Sequence, residues 1–294
     1  KAAGGEIISA DSMQVYKQMD IGTAKIKKEQ MQGVTHYMID EWNPDEEFNV
    51  MIFQKHVKEI MEDIYNRGKI PILVGGTGFY IQAVLNDIAF TKEKQGDEIR
   101  ADLQNLAKEK GASYLHHELQ KVDKESAEAI HPNNIKRVIR ALEYFQSTGQ
   151  KFSDHNKEER QKGSPYNFLY LVLTMNRKVL YERIDKRVDQ MMEEGLVKEV
   201  KQLLDAGYSR NLVSMQGLGY KEIASALFKE CTMEEAVYRL KRDTRHFAKR
   251  QMTWFRRERD VTMINKDNFS NNHEIVNYIM KLAVEKGICS CREG

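Results

Sequence analysis

Apolar and polar positions along this chain follow two periods, and the change between them organises it. Glu6-Ile7-Ile8-Ser9-Ala10 is a short β-rich run that ends at Asp11-Ser12. His36-Tyr37-Met38-Ile39-Asp40 is a second candidate strand. Between Phe48 and Asn66 the spacing turns helical, with Phe53, Val57, Ile60, Met61 and Ile64 on one face and Gly68 as a stop signal. Ile70-Pro71-Ile72-Leu73-Val74 is continuously apolar, which predicts a strand buried on both faces. Gly75-Gly76-Thr77-Gly78 ends it, and a helix opens over Phe79 to Val84. Strand, helix, strand with glycine-rich turns is the βαβ pattern of a parallel sheet.

From Thr91 to Ser164 the chain is polar and helical with almost no β-branched runs. Ala101–Lys110, Lys124–Ile130 and Asn134–Ser147 read as helices, and Lys157–Lys162 as a charged loop. This stretch is predicted to be a helical insertion over 93–163, inside a core formed by 1–92 and 164–294. Tyr166–Thr174 returns as an apolar strand, Arg177–Ala206 as one long helix, and Met233–Arg257 as another. Val261–Ile264 reads as the last strand and Glu274–Glu285 as the last helix.

The chain has 294 residues, enough to bury a core without staples. Three cysteines exclude a disulfide framework and predict a reducing, cytoplasmic setting. Cys289-x-Cys291 lacks the second ligand pair of a zinc site. No apolar run is long enough for a membrane span, so no membrane partner is expected. The net charge of +2 hides a segregation. From Arg239 to Arg259 nine Lys/Arg face only Asp243 and Glu258, a surplus of seven that leaves the remaining chain at −5. Such a stripe is a candidate footprint for a polyanion. Leu240, Phe247, Gln251 and Trp254 share one face of this helix and read as core packing.

Several segments could carry chemistry. Asp11 follows a strand at the sheet edge where ligands of open α/β folds bind, as a base, a metal ligand or a plain cap. Ser12, Met13, Gln14, Tyr16, Asp20 and Lys25 crowd polar groups around it. The Gly75–Gly78 turn is an anion or base-edge cradle, or only a tight connection. Arg137 and Arg140 share a helix face and could simply pair with Glu143. Gln216-Gly217-Leu218-Gly219-Tyr220-Lys221 opens a helix with two glycines that permit close ligand approach, or is merely its N-terminal loop. Arg183 and Arg187 could clamp a phosphate or pair with Asp185 and Asp189.

Four segments in order resemble the tRNA isopentenyltransferase (tRNA dimethylallyltransferase) family: Asp11 to Tyr16, Asp20 to Lys25, Leu73 to Tyr80, and Lys249-Arg250-Gln251-Met252-Thr253-Trp254-Phe255-Arg256. The resemblance runs from Gly5 to about Asn265. It implies a P-loop NTPase core of the nucleoside-kinase-like type, a parallel α/β sheet with a helical insertion domain. It implies transfer of a dimethylallyl group from dimethylallyl diphosphate to the exocyclic N6 of the adenine 3′ of the anticodon, by a monomer that engages the tRNA anticodon stem-loop. Asp11 would be the catalytic base. Asp11, Ser12, Met13, Gln14, Thr77, Arg100, Lys136, Arg137, Val138, Ile139, Arg140, the segment Gln216 to Lys221 and the segment Lys249 to Arg256 would lie against the tRNA. Arg100 enters on the resemblance alone.

The family's Walker A loop is expected before Gly5, since no G-x-x-x-x-G-K-[ST] occurs in these residues. The chain opens at Lys1 directly into a strand-like segment and reads as a fold whose first element precedes it. The loop would cradle the diphosphate and supply the hydroxyl that helps hold Mg²⁺, with Arg183 or Arg187 as further diphosphate ligands. Two other readings remain open on the residues: a small-molecule kinase or adenylate prenyltransferase, and a non-catalytic RNA-binding protein.

Overall fold

A computed structural model describes residues 1–90 and 96–289. The expected 92/93 boundary and Cys291 lie outside the described residues. The chain divides into two compact units, one formed by 1–85 and 166–294, the other by 86–165.

The first unit is α/β. Strands β1 (Glu6–Ser9), β2 (His36–Tyr37) and β3 (Pro71–Val74) form a parallel sheet in the order β2-β1-β3. β4 (Tyr170–Thr174) and β5 (Val261–Asn265) form a parallel pair. β2 stops at Tyr37, short of the expected Asp40, because Met38 (φ 62°) and Asp40 (φ 59°) turn left-handed. β3 is not buried on both faces as its apolar run predicts: its residues are half-buried and Val74 is 52% exposed. It borders the three-stranded sheet instead of lying inside it.

Helix α1 (Val50–Asn66) is capped by Asn49, whose side chain accepts the amides of Met51 and Ile52. It buries Phe53, Val57, Met61 and Ile64, the face that the spacing predicts. α2 (Gly78–Leu85) follows the glycine turn. The second unit is helical: α3 (Gly96–Lys110), α4 (Ala112–Val122), α5 (Lys124–Ala129), α6 (Ile135–Thr148) and α7 (Phe152–Gln161). α4 is an addition to the helices expected from the pattern. α7 replaces the expected charged loop at Lys157–Lys162; its amino end is tied down where Asp123 accepts the Ser153 amide at 2.8 Å.

Back in the first unit, the expected long helix is two, α8 (Arg177–Glu194) and α9 (Leu196–Asp205), broken by Gly195 at φ 106°. Then come α10 (Tyr220–Leu227), α11 (Met233–Phe255) and α12 (Asn272–Glu285). The core of this unit gathers Ile8, Tyr16, Phe53, Leu196, Met215, Tyr220 and Leu240.

Candidate active site and nucleic-acid face

The carboxyl edges of β1 and β3 are tied together. The Ala10 amide donates to the Val74 carbonyl at 2.8 Å, and the Thr77 amide returns to the Ala10 carbonyl at 3.2 Å. The Ser12 amide donates to Thr77 Oγ1 at 3.1 Å. This crossing needs a bare backbone: a Cβ on Gly75 would lie 2.2 Å from the Ala10 carbonyl oxygen. Asp11 and Thr77 thus stand side by side at one sheet edge.

Asp11 Oδ1 accepts the amides of Met13 (2.8 Å) and Gln14 (3.3 Å). The capping geometry is therefore real, but it uses one oxygen. Burial pushes the Asp11 carboxyl above the ordinary aspartate range, against the two amides, which pull it down. Gln14 lies between Ser9 Oγ, which donates to its Oε1 at 3.2 Å, and the Thr23 carbonyl, which accepts from its Nε2 at 3.2 Å.

Sequence reasoning missed the residue that holds the next loop. Glu199 of α9 accepts the amides of Asp20 (3.0 Å), Ile21 (2.8 Å) and Gly22 (3.1 Å) and the Tyr220 hydroxyl (2.7 Å). Glu199 is buried and its role is structural. Burial and the nearby Glu199 charge push the Tyr220 phenol far above its usual range. The only sequence signal was a glutamate at an apolar-face position of a helix. Lys25 of the same loop is anchored by the Tyr16 carbonyl (2.7 Å), Asp20 (2.7 Å) and Asp40.

The second half of α11 reaches the same edge. Gln251 Nε2 donates to the Gly76 carbonyl at 2.9 Å. Trp254 packs on the turn so closely that a Cβ on Gly78 would lie 2.3 Å from its Cδ1. The stripe expected to be core is therefore split: Leu240 is buried, whereas Phe247 and Trp254 are exposed. The basic stripe is split too. In the first half Arg239 pairs with Glu235, Lys241 with Asp189, Arg242 with Asp243 and Arg245 with Asp185. In the second half and the turn just after it, Lys249, Arg250, Arg256 and Arg257 are exposed and make no ion pair among the described residues. Thr253 is exposed, Met252 half-buried and Phe255 buried, so the Phe255 side chain serves the core and is not a surface contact.

Arg183 and Arg187 are exposed on α8. They do not pair with Asp185 and Asp189, whose carboxylates are taken by Arg245 and Lys241. In the segment before α10, Gln216 is exposed, Gly217, Leu218 and Lys221 are half-buried, and Gly219 and Tyr220 are buried. The Tyr220 side chain therefore packs inward and cannot contact a nucleic acid.

Within the helical unit, Lys136 and Arg137 are exposed, but Val138 (0% exposed) and Ile139 (5%) are core residues whose side chains cannot reach a ligand. Glu143 is buried and takes Arg100 at 2.7 Å and Arg140 at 3.3 Å. The pairing of Arg140 with Glu143 is thus present; Arg137 stays on the surface.

No helix among the described residues is long and apolar enough to cross a membrane. Residues 14–258 match the family model described as IPP transferase. A tRNA dimethylallyltransferase of Lachnoclostridium phytofermentans is 58% identical over 288 residues, 98% of this chain and 92% of that protein. One from Bacillus cereus is 50% identical over 280 residues, 95% of this chain and 87% of that protein. The crystal structure of a full-length tRNA isopentenylpyrophosphate transferase from Bacillus halodurans matches with a TM-score of 0.71 at 44% identity, over 97% of this chain and 90% of that one. A eukaryotic dimethylallyltransferase solved acting on tRNA matches with a TM-score of 0.79 at 28% identity, over 94% of this chain and 73% of that one. An α/β architecture with small parallel sheets, the motif order and identity along nearly the whole length agree, and the chain belongs to the IPP transferase family.

Proposed function

We propose that this chain is a tRNA dimethylallyltransferase: it moves the dimethylallyl group of dimethylallyl diphosphate to the exocyclic N6 of the adenine 3′ of the anticodon. The core is of the P-loop, nucleoside-kinase-like type, and the enzyme acts as a monomer in the cytoplasm. The observation that carries the reading is the meeting of Asp11, Thr77 and the unpaired cationic end of α11 at one sheet edge. A small-molecule kinase would have no use for that cationic end, and a passive RNA-binding protein would have none for a half-buried carboxylate whose carboxyl is pushed upward and meets no cation.

The chemistry follows from the groups. The adenine amine is a poor nucleophile because its lone pair is delocalised into the ring. As the new C–N bond forms, the allylic C–O bond breaks, diphosphate departs with that electron pair, and the N6 proton passes to Asp11. Burial makes Asp11 a stronger base than an exposed aspartate, and the Met13 and Gln14 amides aim it. Ser12, Gln14 and Thr77 offer hydrogen-bonding groups beside it. Lys136, Arg137, Gln216, Lys221, Lys249, Arg250 and Arg256 are cationic or polar contacts for the tRNA. Arg100 acts through Glu143, orienting the helix that presents Lys136 and Arg137. Arg183 and Arg187, free of their own helix's acids, serve the departing diphosphate.

Mg²⁺ is expected to accompany the diphosphate. Among the described residues no three His, Cys, Asp or Glu come together to form a cage for it. The direct test is incubation of the protein with dimethylallyl diphosphate and total tRNA, followed by nucleoside mass analysis. Prenylated adenosine is expected from the wild type and none from Asp11→Ala; no modified nucleoside from the wild type would remove the reading.

A further inference from the structure

Two amides hold Asp11, and both lead back to one buried carboxylate on another element. The first donor is Gln14, at 3.3 Å from Asp11 Oδ1. Its side chain is strung between Ser9 and the 20–25 turn: Nε2 donates to the carbonyls of Thr23 (3.2 Å) and Ala24 (3.5 Å). That turn is a closed unit. The Lys25 amide donates to the Asp20 carbonyl (2.9 Å), and the Thr23 hydroxyl to the Met19 carbonyl (2.6 Å). Its successive amides from Asp20, Ile21 and Gly22 converge on Glu199 of α9. The second donor to Asp11 is Met13, which packs so closely on Gly217 that a Cβ there would lie 2.5 Å from Met13 Cε. Gly217 leads into Tyr220, whose hydroxyl is the fourth donor to Glu199. The Tyr220 ring also closes on the turn, since a Cβ on Gly22 would lie 2.5 Å from its Cε2.

We infer that Glu199 is a positioning residue for the transfer step: by pinning the 20–25 turn and Tyr220 together it fixes Gln14 and Met13, and through their amides the Asp11 carboxylate. The inference rests on Asp11 being the base of the proposed reaction, and adds to it a residue that acts only through others. Successive amides form a concave seat for an anion. Glu199 fills that seat from within the chain, so the turn is locked with its carbonyls toward Gln14. No other side chain does this. An apolar residue would leave four donors without an acceptor. A glutamine has one acceptor oxygen, and its NH2 would face either the amides of Asp20 and Ile21 or the Gly22 amide and Tyr220 hydroxyl.

Glu199→Gln should lower the single-turnover transfer rate by about 10²-fold, the loss expected when a catalytic group moves by about 1 Å, with affinities for tRNA and dimethylallyl diphosphate within about three-fold of wild type. In a double-mutant cycle with Gln14→Ala, the two losses should fall short of multiplying by about ten-fold or more, because both cut one path to Asp11. A rate per folded molecule within about three-fold of wild type, or losses that simply multiply, overturns the inference and leaves Glu199 an anchor for folding alone. NMR of selectively labelled glutamine reads the same link without activity. The Gln14 side-chain amide, identified by its loss in Gln14→Ala, should exchange its protons with solvent about ten-fold faster in Glu199→Gln than in wild type. Unchanged exchange overturns the inference too. If Glu199→Gln does not fold, Tyr220→Phe carries both measurements: it removes one of the four donors and should slow transfer by about three- to ten-fold. An unchanged rate or unchanged exchange there has the same force. A wild type that transfers no prenyl group would remove the proposed function and this role in it, whereas the exchange measurement would still show whether Glu199 holds Gln14.

Discussion

The two ends of β1 each hold a carboxylate, buried at Glu6 and half-buried at Asp11, and they treat it in opposite ways. At the amino end Glu6 is 2% exposed and takes Arg67 through both oxygens (2.7 and 2.7 Å), Lys69 at 2.6 Å and the Tyr37 hydroxyl at 2.8 Å. Hydrogen bonds from Arg67 and Lys69 hold its carboxyl far below the usual glutamate range, despite burial. At the other end Asp11 has two backbone amides on one oxygen, no cation, and a carboxyl pushed upward. A carboxylate surrounded by partners is an anchor; one buried with spare acceptor capacity is a group kept ready for a proton. The sign of the perturbation separates the two.

The contrast fails or sharpens on four measurements. Asp11→Asn should lower the single-turnover transfer rate by about 10²–10⁴. Because the raised Asp11 binds its proton more tightly folded than unfolded, its ionisation costs stability as pH rises through the window between the two values. The asparagine variant should therefore melt no lower than wild type at neutral pH; a clear drop in melting temperature would make Asp11 an anchor like Glu6.

Next in size is the cationic end of α11 that reaches the same edge through Gln251 and Gly76. Replacing Lys249, Arg250 and Arg256 by glutamine should weaken tRNA binding by about a hundred-fold at physiological salt. The salt slope should flatten by about 0.7–0.9 for each phosphate that is no longer neutralised. An unchanged slope would mean that these cations do not touch phosphate.

Glu6→Gln should cost stability, by about 1–3 kcal/mol, with the transfer rate per folded molecule unchanged. Glu6 is depressed when folded, so its contribution is present above the unfolded glutamate pKa and drains away as pH falls through and below that range. Denaturant melts across acid pH should show a shallower acid loss in the variant than in wild type. Smallest is the paired half of α11. Lys241→Gln or Arg245→Gln should each lower stability by under about 1 kcal/mol and leave the salt slope alone, because Asp189 and Asp185 already hold these cations. A flattened slope there would erase the division of the helix into two halves.

How much of this was readable in the residues differs by element. α1 was legible because Phe53, Val57, Met61 and Ile64 recur at helical spacing and all are buried. The sheet edge was legible because a strand that stops at Asp11 and one that stops at a glycine turn must end near each other in a parallel sheet. The break at Gly195 was not, because the apolar spacing continues across it while the backbone turns left-handed. α7 was hidden by charge: a solvent-facing helix and a charged loop share a composition. From Arg239 to Arg259 nine cations looked alike in sequence; Glu235 and Asp243 on α11 and Asp185 and Asp189 on α8 neutralise the first four. The side chains of Val138, Ile139, Tyr220 and Phe255 are buried, a distinction that a motif read as a whole segment does not make.

The bonds that close the site span long stretches of chain. Ser12 meets Thr77 across 65 residues, Gly76 meets Gln251 across 175, and Asp20 meets Glu199 across 179. Closing loops of that length is entropically costly, so such bonds form late in folding, after local helices have appeared. During synthesis Asp11 emerges early, yet its surroundings cannot be finished until Gln251 has left the ribosome. The surroundings of Asp11 are therefore a property of the completed first unit: a chain that holds its local helices without these long closures leaves its base with nothing to work beside.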